Sequence, residues 1–416
     1  MRIENFSTEN HGMRKRVTAM VVWEDCDRNP QELFYETSCK FEDSISDDPH
    51  AFLVGAILPA LHFGEQRIAI DAPICAELRN GLLTAIGWFR KWSLFERSIC
   101  IESSSEVHYP RPLAPRAASF LSGGVDSLAI LRANRLAYPA DHPNSIKDCL
   151  FVHGFDIGGL EGRDEERAAY ELALRAVSSI VQDVEATLIP VYTNVRHLYD
   201  DLHFWVYQFH GAALASVAHA FSNRLTSVSL ASAYKIANLR KKTIHPLLEL
   251  NYSSANLRIK IEDTRYSRMD RVGLLAQWPA ALDNLRVCTM NPPGKLNCGR
   301  CEKCLRTMLQ LLVFDSLDKA KTFPYQEITP EMLDAIQLTE SYQDGWYEEL
   351  VAPLATRGRH DLIEVIQQKR AAYQKHLAWE EERDWKGAVK RFDRRWLGGS
   401  LYTTYSNFLE RRRSRS

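Results

Sequence analysis

The stretch Ala117–Leu131, AASFLSGGVDSLAIL, constrains this chain more than any other. It reads as a short apolar strand, a Ser-Gly-Gly turn, and a helix opening at Asp126-Ser127. A Gly-rich strand-to-helix turn exposes backbone N–H groups in a concave array, and the helix dipole adds positive potential there. Such a turn suits a phosphate. Gly123 and Gly124 let the backbone approach the ligand, Ser122 and Ser127 offer hydroxyls, and Asp126 would hold Mg²⁺ against the same phosphates. The Walker pattern G-x-x-x-x-G-K-[ST] is absent.

From Ala117 onward, strand and helix patterns alternate. Cys149–Val152, Thr187–Tyr192 and Val228–Ala231 read as strands, with helices over residues 163–182 and His203–Phe221 between them. This implies a parallel sheet with helices on both faces, whose ligands sit outside the carboxyl ends of the strands. The polar residues at those ends, His153 and Asp156, Asn194, and Ser232, are therefore expected to converge with the SGGVDS turn on one cleft. Each has a plainer reading as turn chemistry, or for His153 as a structural histidine. Lys235–Lys242 is a basic loop, and Arg268 and Arg271 stand three apart near a helix start, a spacing that suits either an anion clamp or a solvated face.

The segment before the turn, residues 1–115, reads as a separate small α+β unit. Its strands are Val17–Trp23, Glu32–Cys39 and Gln66–Ile70, and its helices His50–Phe63 and Ala76–Lys91. The polar start, MRIENFSTENHGMRKR, has no signal-peptide core, and the apolar run Ala51–Phe63 is too short to span a bilayer. A cytoplasmic protein is expected. A formal charge of −1 over 416 residues argues against a broad nucleic-acid or membrane field.

Nine cysteines are unevenly placed. Cys26, Cys39, Cys75, Cys100 and Cys149 are scattered and read as reduced core residues. Cys288, Cys298, Cys301 and Cys304 form two overlapping C-x-x-C steps with one upstream cysteine. Four thiolates at knuckle spacing suit a closed tetrahedral Zn²⁺ site, with an iron–sulfur cluster as the competing occupant.

The SGGVDS turn resembles the PP-loop of the ATP pyrophosphatases, which cleave ATP between its α- and β-phosphates. Followed by C-x(9)-C-x-x-C-x-x-C, it resembles the 7-cyano-7-deazaguanine synthase (QueC) family over residues 117–312. The resemblance implies an adenine nucleotide α-hydrolase-like (HUP) α/β domain over residues 116–314 with a zinc knuckle. It also implies an acyl-adenylate made from 7-carboxy-7-deazaguanine or a similar carboxylate. Ser122, Gly123, Gly124, Val125, Asp126 and Ser127 would then handle ATP and Mg²⁺, with Asp126 and Ser127 catalytic, and His153, Asp156, Ser232 and Arg268 would face the substrate. The chain departs from that family in its long N-terminal segment, in His153-Gly154-Phe155-Asp156, and in lacking the family's Ser-Gly-Tyr-Pro-Asp-Cys-Arg segment. Extended proteins of this kind occur in bacterial anti-phage operons (Qat and type IV CBASS), and this chain resembles that group.

Residues 315–416 read as a helical extension, through Pro330–Leu338, Tyr342–Ala355 and His360–Glu380. Trp385, Val389, Phe392 and Trp396 then recur at helical spacing among Lys and Arg residues. That stripe suits either packing on its own domain or docking, and with it a homodimer or transfer of the activated acid to a partner protein encoded nearby. Two other functions remain open: a tRNA-modifying PP-loop enzyme whose cysteines carry a cluster or sulfur, and a non-catalytic nucleotide-binding subunit of a defence complex.

Overall fold

A computed structural model describes residues 1–107, 113–155, 157, 164–232, 234–236, 239, 241, 244–262, 264–334, 336–339 and 341–383. The chain opens with an antiparallel meander, β1 (Arg2–His11), β2 (Arg14–Val22) and β3 (Gln31–Ser38). Helix α1 (Pro49–His62) follows, capped by the Asp48 carboxylate, which accepts from His50 N. Then come β4 (Arg67–Ile70), β5 (Ile74–Cys75), α2 (Ala76–Lys91), β6 (Cys100–Ser103) and β7 (Glu106–Val107). Strand β1 was not expected from the sequence. A bulge between Glu4 and Ser7, with Asn5 at φ 59°, breaks the alternation that would have marked it.

The central segment alternates as expected: β8 (Ala117–Phe120), α3 (Val125–Ala137), β9 (Ile146–His153), α4 (Asp164–Asp183) and β10 (Thr187–Thr193). The helix expected over His203–Phe221 is instead α5 (Leu202–Phe204), a π-helical turn over Trp205–Phe209, and α6 (His210–Ala220). Then follow β11 (Ser227–Ala231), β12 (Arg258–Glu262), α7 (Arg268–Ala276), α8 (Pro279–Leu282) and α9 (Glu302–Val313).

Strands β8–β12 are parallel and lie in the spatial order β10-β9-β8-β11-β12. The chain winds outward from β8 in one direction, then returns to β11 on its other side. Right-handed crossovers put α3 and α4 on one face and α6 on the other. The order therefore reverses between β8 and β11, and the carboxyl ends of those two strands border the crevice where such sheets take ligands.

The sheet continues past β10. Among the described residues it has ten strands, because β3 pairs antiparallel with β10 and carries β2, β1, β4 and β6 behind it. The expected separate unit over residues 1–115 is thus corrected: the chain divides into Met1–Glu327 and Ile328–Ser416. The reason is visible in α1, whose residues His50–Leu61 are all buried. A helix apolar on every side needs partners on every side. Helix α1 packs against α6, and one core runs from Ile3, Tyr35 and Phe52 through Phe209, Ala213 and Val217 to Val228 and Ile259.

The second unit holds α10 (Pro330–Leu333), shorter than expected, then α11 (Ser341–Thr356) and α12 (His360–Arg383). Helix α12 packs on α10 and α11, with Arg370 Nε donating to Asp344 Oδ1 at 2.7 Å. The Trp385–Trp396 stripe lies outside the described residues. No helix among the described residues is long and apolar enough to cross a membrane.

Candidate functional site

The SGGVDS turn leaves β8 at the reversal of strand order. Gly123 has φ +78°, a left-handed conformation that costs an L-residue about 1–2 kcal/mol, and its carbonyl accepts from Arg286 N at 2.9 Å. The serine hydroxyls brace the turn. Ser127 Oγ donates to Gly124 O at 3.1 Å, Ser122 N donates to Ser127 Oγ at 3.3 Å, and Gly124 N donates to Ser122 Oγ at 3.3 Å. The first bond of α3 runs from Leu128 N to Gly124 O at 3.0 Å, so the N–H groups of Val125, Asp126 and Ser127 precede the helical ladder. Val125 contributes only its backbone, since its side chain is buried.

Asp126 is more heavily engaged than the sequence suggests. Its Oδ1 accepts from Arg271 Nη1 at 2.7 Å and its Oδ2 from Arg268 Nη1 at 3.1 Å, while 27% of its side chain stays exposed. Burial opposes ionisation, yet the charges of Arg268 and Arg271 hold this carboxyl below its usual range. Mg²⁺, the cation expected at Asp126 from the sequence, commonly takes one or two carboxylates plus substrate phosphates. In this structure the Asp126 oxygens serve the two arginines.

Both arginines come from α7, which packs on α3. Ser267 and Asp270 form a capping box that starts the helix and places Arg268 and Arg271 in its first turn. The solvated-face reading is overturned: Arg271 is fully buried, and the Arg268 side chain is only 10% exposed. Arg268 Nη2 also reaches Thr307 Oγ1 at 3.4 Å, but its Nε is buried with no hydrogen-bond partner. Burial first, and then repulsion from Arg306, lowers the Arg268 pKa to about 10. Arg306 in turn pairs with Glu302 at 2.7 Å. Arg306 and Thr307 were not expected here, although an arginine inside the apolar run after Cys304 was a usable signal.

The other expected site residues divide. Ser232 is buried, and its hydroxyl is spent on its own turn, donating to Tyr234 O at 2.8 Å and accepting from Tyr234 N. Asn194 is likewise structural: its amide bonds the backbone of β3 at Glu32 O (2.7 Å) and Phe34 N (3.0 Å). Turn and strand chemistry account for both. His153 ends β9 in an aromatic cluster, edge-on to Tyr170 at 4.8 Å and beside Tyr192 at 5.4 Å. Asp156, Arg240 and Lys242 lie outside the described residues.

The four clustered cysteines come together, all sulfurs lying within 4.8 Å of one another and two pairs, Cys288–Cys301 and Cys298–Cys304, at 3.9 Å. A tetrahedron of sulfurs at the usual zinc distance of about 2.3 Å has edges of about 3.8 Å, so the set can hold a metal such as zinc. Backbone N–H groups of Met290, Arg300 and Cys301 point at Cys288 and Cys298 sulfurs at 3.3–3.4 Å, which stabilises thiolates. Hydrogen bonds, first from the Cys304 thiol, pull the Cys301 pKa well below the usual thiol range. Gly299 (φ +71°) is required for space, since a Cβ would lie 2.7 Å from Pro324 Cγ. The scattered cysteines are free thiols: Cys75 and Cys149 are buried as expected, but Cys26 and Cys39 are only half-buried and Cys100 is exposed.

The cysteine cluster and the turn share struts. Arg286, two residues before Cys288, holds Gly123, and Arg306 and Thr307, on the helix begun at Cys301, flank Arg268. Between the two ends, Asn297 Oδ1 accepts from Val287 N (2.9 Å) and Cys288 N (3.2 Å).

Asp48, His50 and His219 also bring donor atoms within 4.8 Å, far from this turn in the sequence. His50 Nε2 accepts from Cys75 N at 2.8 Å, and its Nδ1 lies 2.8 Å from Asp48 Oδ1. With both His50 nitrogens so placed, and His219 Nε2 2.8 Å from Tyr252 O, the set forms a buried polar seam between α1, β5 and α6.

In comparisons with known proteins, no family model, no curated protein and no solved structure matches this chain.

Proposed function

We propose that the chain is an ATP-dependent, AMP-forming enzyme of the PP-loop type. The observation that carries this reading is the Gly123-Gly124 turn standing where the strand order reverses, with the N–H groups of Val125–Ser127 at the head of α3 and arginines behind them. A carboxylate substrate attacks the α-phosphorus of ATP, and pyrophosphate departs into the turn, whose donors stabilise the charge on the leaving oxygens. An amine then attacks the acyl-adenylate and AMP leaves. Mg²⁺, held through Asp126 when bound, supplies further charge neutralisation at the phosphates. Zinc in the cysteine cluster would serve structure, since four thiolates leave no open position.

The resemblance to the 7-cyano-7-deazaguanine synthases suggests 7-carboxy-7-deazaguanine or a relative as the acid. It also suggests a cytoplasmic role in antiviral defence, with an amine supplied by ammonia or by a partner protein. The test is incubation of the purified chain with ATP, Mg²⁺ and that acid, with pyrophosphate release followed by a coupled assay and products weighed by mass spectrometry. Pyrophosphate release that Asp126→Ala abolishes is expected. Acid-independent ADP formation, or no turnover with any carboxylate and any neighbouring gene product, would refute the reading.

A further inference from the structure

Asp126 can be read in two ways. As a metal ligand it would present its oxygens to the turn, ready for a cation. The observed geometry differs: both oxygens lie against guanidinium groups, at 2.7 and 3.1 Å. Arg268 holds the carboxylate by the longer of the two bonds. Its side chain is nine-tenths buried, its Nε has no hydrogen-bond partner, and its Nη2 has only the long contact to Thr307. A buried guanidinium with an unused donor beside a second arginine calls for more anionic charge than one shared carboxylate gives. The N–H groups at the head of α3 face the same requirement, because Asp126 is the second residue of that helix.

We infer that the Asp126 carboxylate is a resident counter-ion, occupying the arginine cluster of α7 in place of a phosphate oxyanion that Arg268 receives when ligand binds. The inference rests on the proposal that the turn takes phosphate, and it assigns Asp126 a second role, as the group that a phosphate must displace. Arg268 then contacts the anion, while Arg271, fully buried and bonded also to Tyr266 O, stays as the positioning residue that keeps α7 on the turn. One consequence is counter-intuitive. Neutralising Asp126 leaves two arginines without their shared carboxylate, so a phosphate anion should bind more tightly without metal even as turnover is lost.

The experiment is calorimetric titration of inorganic pyrophosphate into the full chain, without added divalent cation, for wild type, Asp126→Asn, Arg268→Gln and the double variant. Asp126→Asn is expected to bind at least tenfold more tightly than wild type, Arg268→Gln at least tenfold more weakly, and the double variant to lose the gain. Asp126→Asn binding no tighter than wild type, or a gain that survives Arg268→Gln, overturns the inference. If Asp126→Asn does not fold, Arg268→Gln alone decides: undiminished pyrophosphate binding overturns the inference, and a tenfold loss supports it. Failure of the adenylation proposal reads out separately. A chain that binds pyrophosphate in this pattern but never releases it from ATP refutes that proposal and leaves the counter-ion role standing. A chain that cleaves ATP but shows neither effect does the reverse.

Discussion

Arg268 and Arg271 are three residues apart on one helix, bond the same carboxylate, and should respond to the same substitution in opposite directions. For Arg268, burial and the nearby Arg306 lower the pKa from the ordinary 12.5 to about 10. That gap of 2.5 (12.5 − 10), at about 1.36 kcal/mol each, sets about 3 kcal/mol against the charged form in the folded chain. At pH 7 the group is charged whether folded or not, so the fold bears the whole penalty. Met at this position removes the charge and keeps most of the apolar stem, but leaves Asp126 with one partner fewer. Arg268→Met is therefore expected to stabilise the fold by about 1–2 kcal/mol, the penalty less what Asp126 loses with one of its two partners. Arg271 is fully buried and holds Asp126 Oδ1 at 2.7 Å. Arg271→Met breaks that pair and should cost about 3 kcal/mol, the low end for a buried pair because Asp126 is 27% exposed. Urea unfolding at pH 7 measures both, read as midpoint changes at constant slope. Equal losses in the two variants, or a loss above about 1 kcal/mol in Arg268→Met, would refute the reasoning.

Further outcomes follow from the same geometry. Purified protein should carry one zinc per chain, and Cys301→Ser should lose it together with much of the thermal stability; iron with visible absorbance would instead favour a tRNA-modifying enzyme. Gly123→Ala should cost about 1–2 kcal/mol for its left-handed φ, whereas Gly124→Ala, at φ −82° with its nearest contact at 3.3 Å, should cost less than half as much by the same unfolding measurement. His219 is buried, and desolvation lowers its pKa from 6.5 to about 4. The unfolded chain therefore binds a proton that the folded chain refuses between those values, and stability should fall by up to about 3 kcal/mol as pH drops from 6.5 to 4. His219→Asn should remove about one proton from that slope in urea titrations across the same window.

What the sequence made legible was local. The strand, turn and helix at Ala117–Leu131 and the cysteine spacing are contiguous patterns whose physics lies within a few residues, and both stand where expected. The engagement of Asp126 was not legible, because it depends on α7 packing against α3 from more than a hundred residues away. Arg268 and Arg271 at i, i+3 look the same on a wet face as on a buried one; only tertiary contact separates the cases. Asn194 and Ser232 were polar residues at the correct strand ends, yet their side chains are spent on β3 and on a turn. The unity of residues 1–107 with the central sheet was hidden for a related reason. A pairing such as Tyr192 with Glu36 leaves no mark in either segment, although the all-round apolarity of α1 was a clue.

The β3–β10 seam also sets a timetable for synthesis. Strand β3 leaves the ribosome with its hydrogen-bonding edge complete, but the strand that covers that edge is translated about 150 residues later, several seconds or more at ordinary elongation rates. During that wait the nascent chain presents an unpaired edge and the apolar sides of α1, whose partner α6 is also still unmade. An uncovered edge beside an apolar helix invites pairing with neighbouring chains. Holdase binding to the first hundred residues, ending when β10 and α6 emerge, is the expected fate of this chain on the ribosome. A shortened chain starting at Ala117 would inherit the same defect permanently, through the bare edge of β10.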